Sequence, residues 1–257
     1  MLAALALLAA QARAADDAAD DGAPPPITPY RPTVSDPAQL PAPGQLELEL
    51  GGLRMLGDDA PRRGSTPYLL KLAFDQDWGL LLGGDAYVWM RGAPASSQGS
   101  QGVGDTTLTL KRAWILDKAD ALGVEFEVKL PTAGSTRGSG STDYTVNGIY
   151  SRDFGPVHMD LNLNVTALGA ADPGSSHTQW GAASAFSTAL SDHWGMAGEF
   201  SGTRQQGADS GFQFLGALTY SPSKRLTFDF GFVHAMRPRP AVNSLFAGVV
   251  LPLARLW

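Results

Sequence analysis

Residues 122–130 read Leu-Gly-Val-Glu-Phe-Glu-Val-Lys-Leu. Leu122, Val124, Phe126, Val128 and Leu130 alternate with Gly123, Glu125, Glu127 and Lys129. Successive side chains of an extended chain point to opposite faces, so this stretch is a strand with one apolar and one charged face. The same period of two recurs from residue 45 onward. Leu46, Leu48 and Leu50 alternate with Glu47 and Glu49, and Tyr68, Leu70, Leu72 and Phe74 alternate with Leu69, Lys71 and Ala73. Over 79–90 the pattern sets Leu80, Leu82, Val88 and Met90 against Asp85, Tyr87 and Trp89. A strand over 104–114 opposes Leu108 and Leu110 to Thr107, Thr109 and Lys111; one over 143–152 carries Tyr144, Val146 and Tyr150 on one face. Residues 157–165 oppose Val157, Met159, Leu161, Leu163 and Val165 to His158, Asp160, Asn162 and Asn164. Residues 178–190 and 194–204 are rich in Ala, Gly and Ser, and their registers stay open. Phe212, Phe214, Leu218 and Tyr220 share a face, Phe228 and Phe230 flank Asp229, and a last strand runs over 243–253.

These are about twelve strands, each near the ~9–11 residues a tilted membrane-spanning strand needs. Short connections at 75–78, 117–121, 153–156, 191–193 and 221–225 alternate with mostly longer ones at 56–66, 91–103, 131–141, 169–177, 205–210 and 237–242. Short turns at one end and longer loops at the other are the rhythm of an outer-membrane barrel, whereas a soluble sandwich shares only the alternation. The expected fold is therefore all-β: a transmembrane antiparallel up-and-down barrel over 45–257. A Lys or Arg facing lipid costs ~2–4 kcal/mol at the midplane, so Glu125, Glu127 and Lys129 should face the lumen.

Residues 2–10 are apolar and short, Ala12-Arg13-Ala14 offers a small-x-small cleavage site, and Asp16 and Asp17 follow. This reads as a secretory signal peptide over 1–14 and a bacterial outer-membrane destination. Residues 15–44 are rich in Ala, Asp and Pro; proline supplies no amide donor, so a periplasmic extension without regular structure is expected there. No apolar run approaches the ~20 residues of a spanning helix. The chain has no Cys, which removes disulfides and thiolate metal sites, and its net charge of −6 argues against general nucleic-acid binding.

The run from Val128 through the Pro131-Thr132 turn and the Gly138-Ser139-Gly140 loop, into a hairpin with inward Asn, resembles the outer-membrane "transporter" family named after the MetA pathway of phenol degradation. Residues 102–111, Gly-Val-Gly-Asp-Thr-Thr-Leu-Thr-Leu-Lys, and the entry Arg31-Pro32 followed by Pro43-Gly44-Gln45-Leu46-Glu47 are similar to the same family. The resemblance implies an outer-membrane barrel and uptake of small, aromatic or hydrophobic solutes. It carries no catalytic motif.

The inward set expected from the registers is Glu47, Glu49, Lys71, Asp85, Tyr87, Trp89, Asp105, Lys111, Glu125, Glu127, Lys129, His158, Asp160, Asn162, Asn164, Glu199 and Asp229. Nine acids against three bases leave this wall six charges negative. Such a wall suits either a cation-preferring channel or a salt-bridged interior without a pore. The loop ends carry Arg62, Arg63, Arg91, Arg137, Arg237 and Arg239, a rim suited to lipopolysaccharide phosphates, while the short turns carry Asp75, Asp77, Asp117, Asp120, Asp153 and Asp192. The terminal Trp257 resembles the aromatic end by which barrel assembly machinery recognises outer-membrane proteins. A barrel lipid hydrolase is the rival class, and a closed structural or adhesive barrel the third. His158 reads as a polar wall residue and His177, His193 and His234 as loop or strand-end residues. There is no Gly-x-Ser-x-Gly elbow, no phosphate loop and no metal-binding spacing, so no catalytic, cofactor or metal residue is expected.

Overall fold

The computed structural model describes residues 24–56, 62–91, 99–134, 137–238 and 241–257, without the side chains of Arg62 and Arg91. The signal peptide expected over 1–14, the first part of the extension and Arg239 lie outside the described residues.

Thirteen strands follow in order: β1 (Gln45–Leu56), β2 (Arg62–Ala73), β3 (Trp78–Arg91), β4 (Ser100–Gly102), β5 (Thr106–Ile115), β6 (Asp120–Leu130), β7 (Asp143–Phe154), β8 (Val157–Ala167), β9 (Thr178–Ala189), β10 (Trp194–Gln205), β11 (Gly211–Ser223), β12 (Leu226–Arg237) and β13 (Val242–Arg255). Each long strand pairs antiparallel with its neighbours; β1 meets β13, β2 meets β3, and β3 meets β5. Twelve long strands thereby close into a ring, and β4 only adds to the loop end of β3. Closure leaves no unpaired edge to satisfy in lipid.

The distribution of polarity is that of a membrane barrel turned outward. Phe126, Leu163, Phe200 and Phe230 are exposed on the outer face, while Glu47, Lys71, Lys111 and Glu199 are at most 1% exposed inside. A folded soluble domain buries the first set and hydrates the second. Short turns close at one end because Asp75 Oδ1 accepts from the Asp77 and Trp78 amides, and Asp117 Oδ1 from those of Ala119 and Asp120. Carboxylates so placed make the turn's backbone bonds themselves.

Two local irregularities depart from the strict alternation. The register of β2 against β3 slips at Thr66/Pro67, next to Gly84, whose φ is +152°. An extra residue in one strand reverses its in/out phase beyond that point. Val88 is therefore fully buried, Met90 turns inward opposite Arg63, and Tyr87 is exposed. The expected lumen positions of Tyr87 and Trp89 are corrected accordingly: both lie on the outward phase, Trp89 packed over Gly64. In β13, Pro252 sits opposite Glu47 where the ladder slips between Leu46 and Glu47, a position that tolerates a missing amide donor.

The larger correction concerns the proline-rich segment. Residues 24–44 do not extend away from the barrel. Pro25 and Ile27 meet Arg225 and Lys224 at the short-turn end, Arg31 to Asp36 reach the middle of the lumen, and Leu40 and Pro43 return to the start of β1. Tyr30, Ser35 and Ala38 are buried. Proline does keep this segment out of the sheet, but its remaining amides find acceptors on the barrel's inner wall.

Candidate functional site: a plugged lumen and the chamber above it

The inner wall holds the plug chiefly by its backbone. Glu47 accepts from the Thr28 amide at 3.1 Å, and Glu49 from Tyr30 and Arg31 at 2.7 and 3.0 Å. Glu199 accepts from Val34 and Ser35 at 2.9 and 2.7 Å; Asn162 accepts from Asp36 and donates back to its carbonyl. Ser151 Oγ accepts from Ala38 at 2.8 Å. Hydrogen bonds to ionised acceptors are roughly twice as strong as neutral ones, so buried carboxylates are effective anchors for amides that have no strand partner.

The two buried lysines serve the same segment. Lys71 bridges Glu47 and Glu49, at 3.1 and 2.5 Å, and donates to the Thr28 carbonyl. Lys111 pairs with Glu125 at 2.8 Å and donates to the Pro37 carbonyl at 2.5 Å. The Tyr30 ring lies between them, 4.2 Å from each ammonium, a cation–π sandwich. Its hydroxyl donates to the Gln39 carbonyl, and burial, reinforced by Glu125 and Asp36, raises the phenol's pKa well above its ordinary value.

Arg31 supplies the plug's own charge. Its guanidinium donates to both oxygens of Asp229, at 2.9 and 2.8 Å. Space for it comes from Gly51 and Gly248, which face each other across β1 and β13; a Cβ at Gly248 would come within 2.3 Å of the guanidinium. The six negative charges expected of the wall are thus partly met by Arg31 and by inward-pointing amides.

Above the plug, toward the long loops, lies a chamber of about 410 Å³ with Val34 and Asp36 as its floor. Glu125, Glu127, Asn147, Asn162, Asn164 and Ser201 are among its wall residues, and Arg237 stands at its loop end. Burial, then the charge of Glu125, raises the Asp36 carboxyl well above the ordinary carboxylate range, while Lys111 opposes the shift. A second cavity, of about 520 Å³, lies between Arg63, Asp85, Asp105, Lys129 and Arg137. There Arg63 pairs with Asp85 at 3.2 Å and Lys129 with Asp143, while Asp105 accepts from the Ala133 and Ser139 amides and pins that loop.

Of the rim arginines, Arg63 and Arg137 are engaged internally, Arg137 with Ser100 and the Val103 carbonyl. His158 lies between Asp153 and Asp160 at 2.5 and 3.1 Å, and Ser151 donates to that same Asp160 oxygen. The serine hydroxyl is thus turned to a carboxylate rather than to an imidazole base. His177, His193 and His234 bond the Leu168 carbonyl, the Ser221 carbonyl and Asn243. Among the described residues no group of three or more acids and histidines could hold a metal ion.

Tyr30, Arg31, Asp36 and Ser151 belong to this site and were absent from the inward set read by periodicity. Glycines inside otherwise regular strands, at 51 and 248, were the available signal, because such a glycine marks close approach of another group.

Comparison with known proteins agrees with this architecture. A family profile described as "Putative MetA-pathway of phenol degradation" matches residues 31–241. No curated protein matches the chain. Among solved structures, the COG4313 outer membrane channel from Pseudomonas putida F1 is similar at a TM-score of 0.64 and 14% identity, over 86% of this chain and 100% of that one. NanC porin aligns at 0.59 and 12% identity over 80% of this chain and 100% of its own, and KdgM porin at 0.57 and 8% over 80% and 99%. These likenesses are of fold.

Proposed function

The chain belongs to the family described as "Putative MetA-pathway of phenol degradation", and from that premise we propose that it is an outer-membrane channel for small solutes, closed from below by its own plug. The observation that carries the reading is a chamber on the long-loop side that stops at a segment held by hydrogen bonds and the Arg31–Asp229 ion pair. A solute enters from the loop side, rests in the chamber, and passes when residues 24–44 shift or leave. The lining sets carboxylate, carboxamide and hydroxyl groups beside Val34, Ala182, Ala183 and Phe212, which suits a small solute with both polar and apolar parts; Tyr87 and Trp89 do not line this route. The polar wall, apolar exterior and signal-like leader fit an exported protein seated in the outer membrane.

The second reading is a barrel kept shut for a structural role, favoured by the number of buried bonds the plug makes. Liposome uptake and single-channel recording separate the two. The wild-type protein and a variant lacking residues 26–40 are compared with empty vesicles. Conductance that is small in the wild type and large in the deletion supports a plugged channel. No conductance from either protein favours the structural barrel.

A further inference from the structure

The plug and wall account for most buried polar groups, but not for those around the chamber. The carboxylates of Asp36 and Glu127 have no cationic partner within salt-bridge distance among the described residues; Glu127 meets only the Thr109 hydroxyl, at 3.5 Å. Glu125 is already paired with Lys111. Asn147 is nine-tenths buried and spends both amide hydrogens on Glu125 and Asn162, leaving its Oδ1 without a donor. Ser201, likewise buried, has no partner for its hydroxyl. A buried acceptor without a donor costs about 1–3 kcal/mol, so the wall presents acceptors that a ligand could satisfy.

We propose that this chamber binds a small organic ammonium ion, whose N–H groups reach Asp36 and Glu127 and, once the Asn147 side chain turns toward the chamber, its free oxygen. The inference rests on the channel reading, because it takes the chamber to be reachable from the loop side. Its volume, about 410 Å³, is that of a small-molecule site rather than of a bare ion. A dehydrated divalent cation needs six or more oxygens in one shell, and among the described residues no carboxylate group is dense enough to begin one. An ammonium needs only a few acceptors on one side; the wall offers two carboxyl groups, a carboxamide oxygen and a hydroxyl, and the ligand's own charge favours the ionised form of Asp36. Arg237 stands at the far end of the chamber, where it would meet an acidic group on the same ligand.

The test is isothermal titration calorimetry of the full chain in detergent micelles, with putrescine as probe and 1,4-butanediol as its uncharged analogue. Expected is saturable binding of putrescine, no binding of the diol, and at least about a tenfold loss, 1.4 kcal/mol, in the double variant Asp36→Asn/Glu127→Gln. Both substitutions remove unpaired carboxylates, and circular dichroism checks that the sheet is retained. Absence of saturable binding, or equal affinity in the double variant, overturns the assignment. So does Mg²⁺ that displaces putrescine at equal concentration, which makes the occupant a hydrated inorganic cation. Conductance is scored separately. A conducting protein that ignores putrescine refutes only this inference; putrescine binding without conductance, even after plug deletion, refutes only the channel.

Discussion

Arg31→Ala should unseat the plug while leaving the barrel folded. The guanidinium makes two charge-assisted bonds to Asp229, whose side chain is 1% exposed against 17% for Arg31. Removing one partner of a buried pair costs about 3–5 kcal/mol, chiefly because the other charge stays buried and unpaired. Here Asp229 regains water when the plug withdraws, so the cost falls on the seated state alone, and the lower figure, about 3 kcal/mol, applies. At ~1.4 kcal/mol per decade the unseated population rises about a hundredfold. The bonds from Glu47, Glu49, Glu199, Asn162 and Ser151 remain, so the plug still spends most of its time in place. Single-channel recording in planar bilayers should therefore show more frequent openings rather than a permanently open pore. Arg31→Lys, which keeps the charge but loses the fork, should fall between. In an Asp229→Asn background the effect of Arg31→Ala should largely vanish, since the two residues act as one pair. An Arg31→Ala variant whose open occupancy stays within about threefold of wild type, less than 1 kcal/mol, would refute the reasoning. So would an effect undiminished by Asp229→Asn.

The chain has no cysteine, so Val34→Cys creates a unique thiol. Val34 is 58% exposed at the chamber floor and Ser35 fully buried; a small cationic thiosulfonate added to the loop side should label Val34→Cys and spare Ser35→Cys, and equal labelling would contradict the placement. The Asp36 carboxyl is raised by burial, so its neutral form favours seating. That contribution is full below the free-carboxylate value of about 3.9 and is lost as pH rises through the raised value. Open occupancy recorded from about pH 4 to about pH 8 should climb with pH, and Asp36→Asn should flatten the climb. Gly44 has φ +76°, and a Cβ there would sit 2.7 Å from the Trp257 carbonyl oxygen. Gly44→Ala should cost about 1–3 kcal/mol in the urea unfolding of the detergent-solubilised barrel. Gly140→Ala, at φ +69° with open space around it, should cost only the αL strain of about 1–2 kcal/mol; equal losses would remove the role given to the Trp257 contact.

Periodicity read the barrel wall well wherever charged and large apolar residues alternate. In β6 and β8, Glu125, Asp160 and Asn162 are buried, and Phe126, Leu161 and Leu163 exposed. In β9 and β10 small residues blur the pattern; Glu199 is read inward from the sequence, but only the ladder sets Ser201 inward and Phe200 outward. The reversal that moves Tyr87 and Trp89 outward leaves no mark on alternation, because a bulge depends on how many residues two strands place between shared bonds.

What the sequence determined by itself is local and repetitive: which segments are strands, which face of each is apolar, where the short turns fall, and that the apolar face needs lipid. Each follows from a period of two and from the cost of charge in hydrocarbon, and neither requires knowing which segments meet. Only the tertiary structure decided what fills the lumen. A proline-rich segment with no periodicity looks the same whether it hangs in solvent or threads a barrel. Its place is set by acceptors up to 198 residues away, such as Asp229 beside the Arg31 guanidinium. Closing the ring brings those carboxylates around one space, and only there do the amides of residues 28–38 find partners.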